Sequence, residues 1–426
     1  MRAPNMKIFL PSLCVLLGSL AGSLAADHWP SWRGPNHDGV SAEKGLPVEW
    51  DAQKNVKWKL ALPGGGSATP VVWGSRIFLT CAGEKELLLL CVDTDGKELW
   101  RRPLESSKGE KGKREENTRA SPSPCTDGKQ VYTLTGTGVF AAHDLEGKQV
   151  WKFNVEERYG RIRLGFGFHT TPLLHEGRLY LPLIHSGGAW VVALDAATGG
   201  EVWKVERKSD GRSECEHSYT SPCLWRDGAK AYLVTHGNDY AVAHRLTDGV
   251  EIWRLGDLNP KDSYNSTLRF VASPVATSGL IVVPTAKNRG VVGVKPGATG
   301  YLAAGAAGEQ WRLTQGTPDV TSPLIYGHEV YLCRESGNLV CLDAATGKQH
   351  YAERLYAQTY RGSPVAAEGR IYLTARDGMV SVVAAGPKFQ VLSRNKLPDQ
   401  ITASPALAGG RIYLRGFDAL YAVGAQ

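Results

Sequence analysis

The 426-residue chain lacks the marks of several large classes. No Gly-X-Y period runs through it, so a collagen-like fibre is excluded. The formal charge is only +7, with no concentrated basic stripe, which argues against a nucleic-acid-binding surface. Past about residue 25, no apolar run reaches the ~20 residues of a membrane-spanning helix. There is no C-x-x-C, so zinc-ribbon and thioredoxin chemistry lack their ligands. Gly64-Gly65-Gly66 lacks the Lys-Ser/Thr of a phosphate loop, and no Gly-x-Ser-x-Gly elbow appears in a strand-to-helix setting. What is present is 42% hydrophobic and 21% charged residues, a folding rather than a disordered chain. Length alone sets a prior of two to three domains.

The first 25 residues read as a secretory signal. Arg2 and Lys7 precede an apolar run from Ile8 to Leu20, and Ser23-Leu24-Ala25 supplies small residues for cleavage. Export to a periplasmic or extracellular space is expected. Residues 26–54 form a lead-in segment. Of the seven cysteines beyond the signal, Cys333 and Cys341 flank a turn at Glu335-Ser336-Gly337-Asn338. Facing strands there place a disulfide between them as one reading and two packed thiols as the other.

From residue 55 to 426 one unit recurs. A Ser/Thr-Pro step stands at Thr69, Ser123, Thr171, Ser221, Ser273, Ser322, Ser363 and Ser404, with 41 to 54 residues between successive prolines. Alternating strands such as Arg178-Leu179-Tyr180-Leu181 follow, then an acidic turn such as Leu194-Asp195-Ala196-Ala197-Thr198-Gly199. A fourth strand carries an aromatic: Trp58, Trp100, Trp151, Trp203, Trp253 and Trp311, then Tyr351 and Phe389. Four short strands per unit of this size predict an all-β, eight-bladed β-propeller, with a solenoid as runner-up. The eighth unit ends after its third strand, and Asn55 to Leu60 carries the missing Trp. The N-terminal strand is therefore expected to close the last blade. A large ring at one place in every blade is read as an interblade wedge, not a ligand platform.

The units Val92 to Trp100, Leu194 to Trp203 and Leu342 to Tyr351 resemble the tryptophan-docking repeats of quinoprotein (PQQ-type) propellers. Gly293 to Gly308 departs from that pattern. Trp29-Pro30-Ser31-Trp32-Arg33-Gly34-Pro35-Asn36 is similar to the lead-in of exported bacterial PQQ-like repeat proteins. The resemblance implies one of two functions. The preferred one is a non-catalytic, BamB-like binding scaffold, expected to be monomeric, with no cofactor and a cell-envelope protein or small ligand as partner. The alternative is a PQQ-dependent alcohol or sugar dehydrogenase holding PQQ and a divalent cation. Against it, no two cysteines are adjacent, and no Glu/Asn/Asp metal set or catalytic Asp is matched. A hydrolase or lyase using His and Glu loops is a third reading.

Connections from one blade's fourth-strand aromatic to the next Pro run 19 to 24 residues at four consecutive places and 12 to 16 elsewhere. Long loops on a rigid scaffold are where binding resides. One long loop, Lys108 to Arg119, is polar and mixed in charge. Another brings Arg161, Arg163 and His169 among aromatics and glycines. The next two bring Glu216, His217 and Tyr219, then Tyr264 and Arg269. These eight are the candidate ligand-binding residues, with His169 and His217 as candidate metal ligands. No catalytic residue is assigned.

Overall fold

The computed structural model describes residues 28–51, 53–106, 118–286, 289–425, and in it every unit has a four-stranded antiparallel core, to which His28–Trp29 and Gly64–Gly65 add in the first blade and Gly300–Leu302 in the fourth. The signal region and most of the Lys108–Arg119 loop lie outside the described residues. The third blade shows the pattern. Strand Arg178–His185 is buried at all but its first position and Gly188–Asp195 through Val191–Leu194, because neighbouring blades cover both faces, while Leu173–His175 is buried only at Leu173. Strand Glu201–Glu206, at the rim, alternates buried and exposed. The eight blades close on themselves. Strand Val56–Ala61 pairs antiparallel with Ala419–Gly424, so the N-terminal strand completes the last blade and no edge is left open there.

Each docking tryptophan reaches into the next blade's acidic turn. The indole N–H groups of Trp58, Trp100, Trp151, Trp203 and Trp311 donate to Thr94, Leu145, Ala196, Leu246 and Ala344 carbonyls at 2.8–3.0 Å. Their rings lie on the turn glycine. At Gly199, with φ +69°, a Cβ would stand 2.8 Å from the Trp151 ring. That glycine therefore serves twice, reversing the chain and leaving room for the neighbour's indole. A register shift recurs beside every docking position, so one extra residue bulges out just before the Trp. Leu99, Val150 and Val202 are these bulged residues, which is why they are exposed.

Blade 5 is the exception. Its turn is replaced by an excursion, and Gly300–Leu302 pairs parallel with the rim strand Glu251–Leu255 of blade 4. Trp253 stays buried, but among the described residues its indole N–H donates to no turn carbonyl. We expect Trp151→Phe to cost about 1 kcal/mol more than Trp253→Phe, because only the first breaks a made hydrogen bond. Urea unfolding of the two variants checks this; equal losses would show that the N–H bond to Ala196 contributes nothing.

One alternative is decided and one expectation is corrected. Cys333 and Cys341 are both buried free thiols. Cys333 faces Leu339 and Cys341 faces Tyr331, so the two cysteines sit diagonally, two residues out of register. That diagonal is about 7–8 Å, beyond disulfide reach. In blade 7 the docking position is Ser393, opposite Val382, while Phe389 lies before the strand. The lead-in covers this gap. The Ser393 hydroxyl donates to the Val48 carbonyl at 2.5 Å, and the buried Trp50 donates its backbone N–H to the Asn395 amide oxygen at 2.9 Å.

The lead-in is part of the ring. Strand His28–Trp29 pairs with Val71–Trp73 at the inner edge of blade 1, and Trp29 is completely buried. The segment then crosses the axis. The Pro30 carbonyl accepts from Thr126 N–H of blade 2, and Asn36 meets Arg226 of blade 4. Arg33 donates to the Pro323 and Pro364 carbonyls of blades 6 and 7 at 3.0 and 2.8 Å. Burial pushes its pKa down to about 10.

Candidate functional site

The Ser/Thr of each Ser/Thr-Pro step lies on the ring axis. The reason is a chain of hydrogen bonds. The backbone N–H of Thr69 donates to the Ser123 hydroxyl, that of Ser123 to Thr171, and so on through Ser221, Ser273, Ser322 and Ser363 to Ser404. All seven bonds are 2.9–3.0 Å long. Each blade's entry is thereby tied to the next, and an otherwise unpaired buried N–H is satisfied. A cavity of about 270 Å³ opens above this layer, lined by all eight hydroxyl residues.

Side chains alternate along extended chain, so the residue two positions earlier faces the same way. That position is Ser67, Ser121, His169, Tyr219, Val271, Val320, Arg361 and Thr402, and all eight line the cavity. The lower layer is uniform; the upper layer differs in every sector and gives the cavity its character. Trp32 of the lead-in closes the far end, its indole N–H 3.3 Å from the Ser404 hydroxyl. Phe166, Arg269 and Asp319 complete the wall.

Tyr219 is the hub of an aromatic group. Its ring centroid is 5.8 Å from Phe166, 6.0 Å from His169 and 6.3 Å from His217. The Arg269 guanidinium lies 5.6 Å over the Phe166 ring. It is 3.6 Å from Glu214 and 4.0 Å from Asp319, too far for a tight hydrogen-bonded pair. Burial holds the His169 and His217 pKa values below the ordinary imidazole value and raises that of Tyr219. Glu335 accepts from the Asp319 and Val320 N–H groups and stands 3.9 Å from Arg361.

Of the sequence candidates, His169, Tyr219 and Arg269 line the cavity together, and His217 touches the group through Tyr219. Glu216 sits at the end of the short helix Ser213–Glu216, away from the lining. Arg161 and Arg163 are exposed on the loop outside it. Tyr264 has a structural place: its hydroxyl donates to Asp239 at 2.7 Å and accepts from Arg212 N–H at 2.9 Å. Sequence reasoning passed over Trp32, Asp319 and Arg361. Counting two residues back from every Ser/Thr before Pro would have found Arg361.

The quinone alternative can be tested against this lining. A divalent cation needs several hard or imidazole donors together, yet among the described residues no three His, Cys, Asp or Glu groups do so. Among the described residues Asp319 is the single carboxylate in the wall, and all seven described cysteines are buried outside it. The carboxylates and imidazoles present do not fit the divalent cation that the quinone alternative requires.

The sequence profile of the family described as outer membrane protein assembly factor BamB matches residues 39–156 and 136–385. A polyvinylalcohol dehydrogenase from Pseudomonas sp is 24% identical over 201 residues, covering 42% of this chain and 29% of that protein. The quinohemoprotein alcohol dehydrogenase ADH IIB of Pseudomonas putida is 28% identical over 142 residues, covering 32% of this chain and 18% of that protein. The chain thus spans less than a third of the length of these curated relatives. Among solved structures, BamB from Moraxella catarrhalis superposes with a TM-score of 0.60 at 14% identity, covering 86% of this chain and 98% of that one. Quinohemoprotein alcohol dehydrogenase from Comamonas testosteroni gives 0.69 at 13% identity, covering 96% and 82%. At these identities the likeness is one of fold.

Proposed function

We propose, for a chain that belongs to the BamB-described family of PQQ-like β-propellers, that it is an exported, non-catalytic binding protein of the cell envelope. The carrying observation is the axial wall, in which hydroxyls, two guanidiniums and one carboxylate stand where a quinone and cation would need a different donor set. The fold supports both scaffolds and dehydrogenases, so the site has to decide. The docking surface is the side of the connection face built by the long loops, with the helix Val155–Tyr159, exposed Arg161 and Arg163, and a half-exposed Phe166. Among the described residues no helix is long and apolar enough to cross a membrane.

Two measurements test this reading. Purified protein mixed with PQQ and calcium should show no quinone absorbance change and no dye reduction with alcohols or aldoses; turnover would overturn it. Photocrosslinkers at Arg161 and at Asp343 probe the two faces. Adducts with an envelope protein are expected from the first position, and equal yields from both would remove the docking face.

A further inference from the structure

The hydrogen-bond chain at the axis has a chemical consequence. Seven hydroxyl oxygens, from Ser123 to Ser404, are already used as acceptors by the preceding blade's N–H. A hydroxyl has one proton as well, and none of these seven has an acceptor for it among the described residues. The cavity floor is therefore a ring of O–H donors. Arg269 adds a guanidinium that makes no short hydrogen bond to either neighbouring carboxylate. Opposite in character, the partly exposed Asp319 carboxylate lines the same wall.

We propose that this cavity is a binding site for a small hydroxylated carboxylate of sugar-acid type. The carboxylate takes the O–H ring and Arg269, as an acceptor-only group requires. The ligand's own hydroxyls donate to Asp319, whose charge makes the wall unsuited to a simple oxyanion. Phe166, half exposed, offers its ring to the C–H side of a sugar ring, and the buried Tyr219 packs against it. At about 270 Å³ the space lies just under the range for drug-sized ligands, so a single ring fits and a chain does not. The site goes beyond the docking role proposed above and does not depend on it, since of the residues named for docking only Phe166 also lines the cavity.

Calorimetric titration of the intact chain with galacturonate, glucuronate and gluconate is the test, with galactose and inorganic phosphate as separate arms. At least one sugar acid should bind ten-fold or more tighter than both galactose and phosphate. Arg269→Gln should lower that affinity at least ten-fold, and Asp319→Asn should narrow the gap between the sugar acid and phosphate. Failure of all three sugar acids to bind at millimolar concentration overturns the proposal, as does equal affinity for phosphate or galactose. The unmutated protein decides the outcome even if a variant does not fold.

Discussion

Replacing Trp29 by Ala should destabilise the protein by about 3–5 kcal/mol, the range for deleting a buried large aromatic. Trp29 has no exposed surface and belongs to a cluster with Leu46, Trp50, Ile77, Leu407 and Tyr413, which joins blades 1 and 8 to the lead-in. Gly34, at φ +74°, turns the chain so closely over it that an added Cβ would lie 2.7 Å from the ring. Loss of the indole frees the first anchor of the segment that carries Trp32 and Arg33 across the axis. The variant should therefore show a lower denaturant midpoint and faster proteolysis between residues 30 and 54. Because the Trp29 N–H has no partner, Trp29→Phe should recover most of the loss. Alanine at exposed Val250 is the control, with an effect under about 0.5 kcal/mol. An unchanged midpoint for Trp29→Ala would mean that the lead-in is not integral to the ring.

Stability should also fall steeply as the pH drops from about 6.5 towards 4. His236, His244 and His143 are all buried. Burial is the main cause that lowers their pKa values, to about 3 for His236 and about 4 for the other two. The Arg207 guanidinium adds to the effect at His236 and His244, and the cations of Lys152 and Arg102 at His143. Arg207 itself is clamped by Thr235, Asn238 and the Gly237 and Tyr240 carbonyls. A base with a depressed folded-state pKa is neutral when folded and protonated when unfolded between the two values. Its contribution is complete above about 6.5 and is lost as the pH falls. Each such histidine contributes roughly 1.4 kcal/mol per pH unit inside that window. His236 is the cleanest probe, since it is fully buried and its ring packs edge-on to Phe270 at 4.9 Å. His236→Leu should match the parent near pH 7.5 and exceed it by about 2 kcal/mol at pH 5. Parallel pH profiles of midpoint for the two proteins would refute this.

The repeat was legible because its spacing is rigid. A Trp must meet a turn glycine one blade away, so both recur at near-constant intervals. The axial wall was only half legible. His169, Tyr219 and Arg269 stood out as ionisable or aromatic residues in long loops, whereas Arg361 sits in a short connection of ordinary length. Arg161 and Arg163 looked the same in sequence as Arg269, yet the path of their loop leaves them outside. The Cys333–Cys341 pairing failed on register, since four turn residues set the facing pairs two positions away from the cysteines.

Sequence alone determined the all-β ring of eight, its closure by the N-terminal strand and the place of the interblade tryptophans. Those follow from local patterns repeated along the chain. Tertiary structure decided what the Ser/Thr-Pro steps do, because a hydroxyl that accepts from a blade about 50 residues away has no local signature. It also decided that the lead-in seals the axis, since Trp32 and Arg33 find their partners some 290 to 370 residues later. Closing the ring brings those distant backbone groups to one point, and that convergence makes the cavity.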